Sequence, residues 1–458
     1  MAYKPSFNAA QMFILLYPTQ QQKNNKMKTY NKLICSLTLL TGLGISSCKK
    51  DYENPNAATA NQVLSNAKAL MGVAVGIQRT YSLGVAAGIA NANGLTTNET
   101  FLVNVGNASE LQLTQGGGSV DNTNGLLNNI WTTSSKCIYD ANNVIANANS
   151  IADKGYASGL IGYATIIKAL SIGAQSQFWE NVPANIGSTN SAFVPRVQGF
   201  TSAIAAIDAA LAAIAANPIS ASFATDLPSG IDVVNSLQAL KARYALFAGN
   251  TTLALATASL VSLTASSSLA FDAAVPNPIF QSVTSTNNIY QPLDSTLGLP
   301  VGIRPALNDA RVPFYTVINT AAAPRFRLNG FWNTAVRRIP VYFPDEMKLI
   351  RAECLLRQAS PDVANAKILI DQILQDNGST DPLGIGANIA AGYTGTVDAA
   401  SLLVEVYRNR CIELYLSGLK LEDMRRFARP TAERKRNFYP YPVNERNNNT
   451  NTPADPLF

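Results

Sequence analysis

The side chains that could do chemistry in this sequence are carboxylates, arginines and cysteines, because the chain of 458 residues contains no histidine. Ser-His-Asp triads, Cys-His pairs and histidine-ligated metals are therefore excluded. A hydrolase that uses two carboxylates remains open, but no pair of residues points to one. Arg410 and Glu413 are three residues apart, and Asp423 and Arg426 repeat that spacing, which lets opposite charges pair on one helix. We predict that these pairs hold the last helices against the body, and that the chain is not an enzyme.

The five cysteines indicate no redox or metal chemistry. Cys35 and Cys48 belong to the N-terminal segment, whereas Cys137, Cys354 and Cys411 each fall inside an apolar helical pattern. Three cysteines give no complete disulfide framework, and their spacing matches no zinc site. We predict that these three are small buried hydrophobic residues, and we expect neither a metal nor a cofactor.

The segment from residue 27 to residue 48 has the pattern of a secretory signal. Lys28 and Lys32 form a basic start, an uncharged apolar run follows from Leu33 to Ile45, and Ser-Ser-Cys closes the segment at Cys48. The run is shorter than the ~20 apolar residues that span a bilayer core. Its ending resembles a bacterial lipobox, in which the cysteine is acylated; the alternative is an ordinary signal peptide with a chance cysteine.

These features predict how the N-terminal part of the chain is divided. We predict that residues 1–26 precede the true translation start at Met27. Residues 27–47 are predicted to be a lipoprotein signal peptide, Cys48 the lipidation site and 48–60 a lipid tether. Several acyl chains on one cysteine make a firm anchor, since each buried CH₂ contributes ~0.8 kcal/mol. We therefore expect contact with a membrane through the lipid anchor only.

The formal net charge of +6 comes almost entirely from the N-terminal segment. The first 48 residues hold five lysines and no acid, which leaves 30 of the 35 basic and all 29 acidic side chains in the remainder. A body with so little net charge has no basic field that would attract phosphate backbones. We expect no nucleic-acid partner.

Helical periodicity dominates the body on both sides of an irregular middle. Apolar residues step by three and four along 160–178, 204–214 and 237–247. Between 265 and 343 this periodicity fades, and prolines and glycines separate short apolar pieces. Helices resume at Pro344, a residue suited to the first turn.

This pattern predicts a mostly α fold of tetratricopeptide-like helix pairs that form a scaffold, with an irregular loop-rich subdomain inserted. The strict repeat pattern of about 34 residues is absent, so we expect divergent units. The predicted domain covers 61–458, with the helical frame at about 61–264 and 344–427 and the irregular region at about 265–343.

Local signals give further expectations. A first helix is predicted from Asn61 to about Tyr81, ended beyond it by a turn at Asn91–Gly94. The Gly/Asn-rich stretch 104–124 is predicted to be a long surface loop, and the Pro/Asn-rich tail 439–458 to be coil. Trp131 and Trp179 lie in helix-associated motifs and are predicted to be core residues.

Several stretches of the body carry motifs in a fixed order. The strongest is RNRCIELYLSGLKLEDMRRF at 408–427, accompanied by RAECLL at 351–356, a helix that runs into FWENVP at 178–183, and YPYPVNE at 439–445. Together, behind the lipobox-like ending, they resemble the SusD/RagB-like outer-membrane lipoproteins. In that family's C-terminal block, Glu, Arg and Trp are commoner at the positions held here by Ser417, Lys420 and Phe427.

The resemblance implies a helical scaffold of four tetratricopeptide-like pairs and a non-catalytic role. It implies attachment to the outer membrane, facing the exterior, beside a SusC-like TonB-dependent barrel. It also implies capture of oligomeric nutrients, usually glycans and in some members peptides. The family's ligand contacts come from the loop after the first helix and from the irregular region, which here correspond to Asn98, Glu99, Phe101, Asn104, Tyr315, Arg327 and Trp332.

Three other functions remain compatible with the sequence. The helix pairs could bind a protein partner only, the ligand could be a peptide rather than a glycan, or the chain could be a carboxylate-only hydrolase. The irregular region has few aromatic residues for a binder of long polysaccharides, which leaves room for short glycans or peptides.

Overall fold

The structure, a computed structural model, describes residues 66–188, 190–284, 288–321 and 323–458. The predicted signal at 27–47, the lipidation site at Cys48 and the tether at 48–60 lie outside the described residues. Those three assignments therefore stay predictions.

The first half of the described chain is helical. Its helices are α1 (Ala67–Thr80), α2 (Ala87–Thr96), α3 (Ala108–Gln115), α4 (Gly125–Ala148), α5 (Lys154–Phe178), α6 (Arg196–Ala216), α7 (Ala221–Asp226), α8 (Val233–Phe247) and α9 (Thr251–Ala258). Two short strands, β2 (Asn181–Pro183) and β3 (Phe193–Pro195), form an antiparallel hairpin between α5 and α6. Strand β1 (Phe101–Leu102) follows α2.

The second half is irregular at first and then helical again. The middle contains the elements β4 (Ser268–Leu269), α10 (Pro278–Thr284), β5 (Tyr290–Gln291), α11 (Arg311–Tyr315), β6 (Thr316–Ile318), β7 (Phe326–Leu328) and β8 (Ile339–Pro340). The C-terminal part contains α12 (Pro344–Leu356), α13 (Val363–Gln375), α14 (Ala399–Glu413), α15 (Lys420–Arg426) and α16 (Val443–Asn448). The predicted mostly α fold with an irregular insertion is confirmed.

Side-chain caps determine where many of these helices begin. The side-chain oxygen of Asn124 accepts a hydrogen bond from Leu127 N at the start of α4, at 3.1 Å. Asp153 caps α5 and Asp398 caps α14 in the same way. Each cap satisfies a backbone donor that has no partner inside the helix, which contributes about 1 kcal/mol.

Helices that follow one another along the chain lie side by side. Helix α4 packs on α5, α5 on α6 and α8, α8 on α9, and α9 on α12, which contacts α13 and α14. Close approach depends on small residues of α5: a Cβ added to Gly173 would lie 2.2 Å from the hydroxyl of Tyr244 on α8. This arrangement is the scaffold of tetratricopeptide-like pairs expected from the sequence.

Three local expectations are wrong. The first helix does not end near Tyr81, since α1 continues through a π-helical segment (Tyr81–Ala86) into α2, and Asn91–Gly94 lie inside α2. The stretch 104–124 contains α3, and the tail contains α16. Tertiary hydrogen bonds explain the first error, because the side chain of Asn93 accepts from Leu421 N and donates to Glu99.

The C-terminal tail is part of the core. Tyr439 and Tyr441 are fully buried beside Trp131 and Trp179, which confirms that both tryptophans are core residues. The indole nitrogen of Trp179 donates to the carbonyl oxygen of Pro440 at 2.9 Å. Cys137, Cys354 and Cys411 are free and buried, as predicted.

Among the described residues, two helices, α5 and α6, are long and apolar enough to cross a membrane by length and composition alone. Most of α5 is buried among other helices, and Asp208 of α6 forms an ion pair with Lys241 of α8 at 2.5 Å. A core helix passes the same length test, so this finding is weak evidence for a span. The packing agrees with the expectation that the Ala-rich segment around Ile204–Ile214 is a packed helix.

Candidate functional site

The charged residues of the C-terminal block lie inside the protein. Arg410 donates to Asp423 at 2.9 Å, and Asp423 also accepts from Arg426 at 2.7 Å, which confirms the predicted Asp423–Arg426 pair. The predicted pair between Arg410 and Glu413 does not form. Glu413 instead accepts from Arg311 of α11 at 3.2 Å, because α11 is packed against the end of α14. These contacts tie elements together, as expected.

Glu99 is one of these interior ties. Its carboxylate accepts hydrogen bonds from Asn93 Nδ2 at 2.8 Å and Leu416 N at 3.0 Å, and its own carbonyl accepts from the Tyr415 hydroxyl. Burial raises the pKa of Glu99, and the nearby Lys420 ammonium offsets part of that rise. Because the side chain is enclosed, the structure corrects the expectation that Glu99 faces a ligand.

Tyr315 and Trp332 are also interior residues. Their rings stack with centroids 5.8 Å apart, and both contact Tyr415. The Tyr315 hydroxyl donates to the carbonyl oxygen of Glu413 at 2.5 Å. They join the irregular region to α14 and are almost fully buried, so the expectation that they contact a ligand is also corrected.

The other four predicted residues lie at or near the surface. Strand β1 pairs with β5, so that Phe101 stands opposite Gln291, and the backbone of Asn104 donates to Ile289 at 3.2 Å. The side chain of Gln291 accepts from Leu328 N at 2.9 Å, which joins β5 to β7 beside Arg327. Phe101 and Asn104 thus lie on β1 or just after it and Arg327 lies on β7, with β5 linking the two strands.

A cleft of about 390 Å³ opens beside β5 and β7. It is lined by Val283, Thr284, Asn288, Gln291, Arg327 and Leu328. We use the name loop face for the cleft residues Asn288 and Arg327 together with Asn98, Phe101 and Asn104 of the chain that leads into and out of β1.

Arg327 is the charged residue of the loop face. It is half-buried, and its Nη2 donates to the carbonyl oxygen of Ala323 at 3.1 Å. Within the described residues, its Nε is buried without a hydrogen-bond partner. A guanidinium and nearby side-chain amides can donate to and accept from hydroxyl groups, and a half-buried ring can contact the apolar face of a sugar. In the described part of the chain, no group of three or more His, Cys, Asp or Glu residues could hold a metal.

Apart from Arg327, sequence reasoning missed the residues of the cleft, including its three other polar residues Thr284, Asn288 and Gln291. A usable signal was present, since the polar run TSTNN at 284–288 separates two apolar pieces of the irregular region. Polar runs of this kind are common in loops, so composition alone did not distinguish a cleft wall from a connection.

Comparison with solved structures identifies the architecture. A SusD homolog from Bacteroides thetaiotaomicron is matched with a TM-score of 0.68 at 13% identity, over 88% of this chain and 99% of that one. A SusD superfamily protein from Bacteroides fragilis is matched with a TM-score of 0.64 at 15% identity, over 85% and 99%. The chain has the SusD-like fold.

A further SusD-like structure is described as laminarin-binding, with a TM-score of 0.59, 13% identity and coverage of 86% of this chain and 99% of that one. No family model matches the sequence, and no curated protein matches it. The SusD-like fold is therefore recognisable from the path of the backbone at identities where pairwise sequence comparison finds nothing.

One backbone contact supports the loop face of this SusD-like chain and predicts a mutational effect. Gly298 has a φ of +73°, and a Cβ at this position would lie 1.7 Å from the carbonyl oxygen of Asn98. We expect Gly298→Ala to cost about 2–3 kcal/mol, since it adds this clash to left-handed strain. Chemical denaturation measures the loss.

Gly302→Ala is the matched control. Gly302 also has a positive φ, +96°, but a Cβ added there would have no atom within 4 Å of it. Its cost should be confined to backbone strain of about 1 kcal/mol. Equal losses in the two variants would contradict a role for the Asn98 contact.

Proposed function

We propose that this chain is a non-catalytic binding protein that captures oligosaccharides at the cell surface. In this proposal it is anchored to the outer membrane through Cys48, faces the exterior and passes its ligand to a SusC-like TonB-dependent barrel. The observation that carries the proposal is the SusD-like fold over more than four fifths of the chain, including similarity to a laminarin-binding protein. The anchor and the barrel rest on the sequence resemblance.

The loop face supplies the proposed binding surface. Asn98 is exposed at a positive φ of 63°, where its side chain donates to the Glu433 carbonyl oxygen at 3.1 Å, so the loop is held in place before a ligand arrives. Arg327 lines the cleft, and its guanidinium carries donors suited to ligand hydroxyl oxygens. Phe101 is half-buried in β1 and stands opposite Gln291, which lines the cleft. A surface held rigid by its own contacts loses little entropy on binding.

Removing the Arg327 side chain tests the loop face. We expect Arg327→Ala to weaken oligosaccharide binding about tenfold or more, because a hydrogen bond from a charged donor contributes about 1.5–3 kcal/mol. The measurement is a glycan array with the purified chain, followed by titration of the best ligand. A peptide array run in parallel tests the alternative ligand class.

Arg325→Ala is the matched control, since Arg325 is an exposed arginine two residues before Arg327. It should leave the affinity unchanged. Equal losses in both variants would indicate a nonspecific charge effect, and no binding to any glycan or peptide would favour a module that binds only protein.

The transport assignment needs a separate experiment. Pull-down of the native lipidated chain from detergent-solubilised outer membrane should recover a TonB-dependent barrel. Acylation at Cys48 without recovery of a barrel would leave the fold and remove the transport role.

A further inference from the structure

A second polar cleft lies within the helical scaffold, formed by elements other than those of the loop face. It has a volume of about 340 Å³ and is bounded by α4, α5, the start of α6 and the connection between β2 and β3. That connection is held by hydrogen bonds from Ala184 N to the Ala192 carbonyl oxygen and from Asn185 N to Ser191 Oγ. The two ends of the connection are thus tied to each other where Ala184 and Asn185 line the cleft.

Lys168 is the charged residue that lines this cleft. It shares one face of α5 with Ile172 and Gln175, since these positions follow at steps of four and three. Lys168 is half-buried, and no hydrogen bond or ion pair joins its ammonium to another described residue. Burial, with no acid nearby to offset it, lowers the pKa of Lys168.

An isolated, partly desolvated cation is unusual in a folded protein. Lys241 and Lys136, also on long helices of the frame, form ion pairs with Asp208 and Asp140, whereas Lys168 has no such partner among the described residues. Removing an ammonium from water without a partner costs free energy, and an anion seated beside it would recover that cost. The cleft therefore has the electrostatics of a site for one negative charge.

The remaining lining indicates what else the ligand carries. Asn142 of α4, Asn185 and Ser188 of the connection and Ser202 of α6 present amides and hydroxyls, with Ile138 and Ile172 as apolar surface. These groups suit hydroxyls on a small ring with one apolar face.

An exposed aromatic ring stands at the edge of the cleft. Tyr139 is 51% exposed, and a Cβ on Gly187, which lies between the lining residues Ile186 and Ser188, would approach its ring to 2.9 Å. A half-exposed tyrosine beside polar groups is the kind of surface on which sugar rings stack.

The single cation of the cleft, Lys168, disfavours a phosphate dianion, because two negative charges need more compensation than one ammonium gives.

We propose that the cleft around Lys168 binds a singly charged, hydroxyl-rich ligand, namely a uronic acid sugar, with its carboxylate on the Lys168 ammonium and its hydroxyls on Asn142, Asn185 and Ser202. This site is separate from the loop face and does not depend on the function proposed for that surface.

Titration calorimetry of the purified full chain tests the site. The probes are D-galacturonate and D-glucuronate, compared with D-galactose, D-glucose, acetate and inorganic phosphate. We expect a uronate to bind about tenfold or more tightly than its neutral counterpart, and Lys168→Met to remove that difference. Lys168→Arg, which keeps the charge, should restore part of it.

Two more variants keep the test decisive. Lys154→Met removes an exposed lysine at the first turn of the same helix and should leave uronate binding unchanged. Asn142→Asp places a carboxylate in the cleft that competes for Lys168, and should abolish uronate binding in a folded protein even if Lys168→Met fails to fold.

Three results would overturn the proposal. These are uronate affinity that survives Lys168→Met, phosphate or acetate that binds as tightly as a uronate, and the absence of any uronate binding to the folded wild-type chain. If the wild-type chain binds a uronate but no oligosaccharide at the loop face, the proposed function fails and the Lys168 site stands.

Discussion

Replacing Arg311 with methionine is expected to destabilise the protein by about 3–5 kcal/mol. Arg311 is fully buried and donates from Nε to Asp309 at 2.9 Å, from Nη2 to the same carboxylate at 2.7 Å, and from Nη1 to Glu413 at 3.2 Å. Methionine fills similar volume but leaves two buried carboxylates without their cation. Denaturant unfolding at about pH 7 gives the loss.

The pH dependence of this variant follows from the carboxylate left behind. Burial, together with the neighbouring charge of Asp345, already raises the pKa of Glu413 well above its ordinary value, against the opposing effect of Arg311. A carboxyl group with a raised folded-state pKa favours the fold while protonated, and that stability is lost as the pH rises. Without Arg311 the pKa of Glu413 rises further. The difference in the free energy of unfolding between variant and wild type should therefore become smaller as the pH is lowered.

A surface lysine provides the control for this charge removal. Lys136→Met breaks an exposed ion pair with Asp140, and its effect should stay within about 1 kcal/mol. A stability loss for Arg311→Met no larger than that for Lys136→Met would contradict the buried-charge explanation, as would a stability difference from wild type that grows at low pH.

The Arg311 variant should also weaken ligand binding at the loop face, because α11 leads directly into the β6–β7 hairpin that carries Arg327.

The helical scaffold could be predicted because each long helix carries its own signals. Leu160 to Phe178 shows the apolar period, and Asp153 supplies the cap at the beginning of the same helix. Pro344 is at the first turn of α12, as its fixed φ predicts. Such information is local, so it survives divergence to the 10–15% identity seen in the structural comparisons.

The candidate site was only partly predictable, because burial in the irregular region has no period to reveal it. Tyr315 and Trp332 have the composition of sugar platforms, but both pack on Tyr415, which lies more than 80 residues away. The resemblance was enough to propose Phe101, Asn104 and Arg327. What connects them is the pairing of β1 with β5 and the hydrogen bond from β7 to β5. Pairing across such distances is not encoded in any short window.

The same limit explains Asn91–Gly94 and Glu99. In sequence they read as a turn and a polar ligand contact, and in the structure Asn93 and Glu99 form one buried hydrogen-bonded unit with Leu416 and Leu421. The local sequence of Asn91–Gly94 has a weak helix propensity, but hydrogen bonds between buried polar groups and the distant C-terminal block stabilise the helix there. Asn93 and Glu99 thus hold the C-terminal block, and the binding groups that we propose are other residues of the loop face.

Replacing Glu353 with glutamine should be the other severe change, with an expected loss of about 3–5 kcal/mol. Glu353 is fully buried in the RAECLL helix and accepts from Arg426 at 2.5 Å and 3.1 Å and from Arg357 at 2.8 Å. It thereby joins two of the motifs that carry the family resemblance. Glutamine keeps one side-chain oxygen but replaces the acceptor of the Arg426 Nη2 bond with an amide donor, and it leaves buried positive charge uncompensated.

The acid dependence of Glu353 makes the prediction specific. Burial alone would raise its pKa, but Arg426, Arg410 and Arg357 together hold the pKa below its usual value of 4.5. A group with a depressed folded-state pKa contributes stability above the unfolded pKa, and loses it as the pH falls through the folded one. Wild type should therefore lose this contribution below about pH 4.5, where the Glu353→Gln variant should have none left to lose.

The matched control is Glu433→Gln, which weakens a partly exposed pair with Arg429 and should cost less than about 1 kcal/mol. Parallel pH curves for wild type and Glu353→Gln would show that the carboxylate charge is not what holds the two motifs together. The supporting result is a wild-type unfolding free energy that approaches that of Glu353→Gln as the pH falls, while Glu433→Gln keeps the pH dependence of wild type. This result would identify Glu353 as the charge that fixes the C-terminal block on α12 and, through that block, the loop after α2.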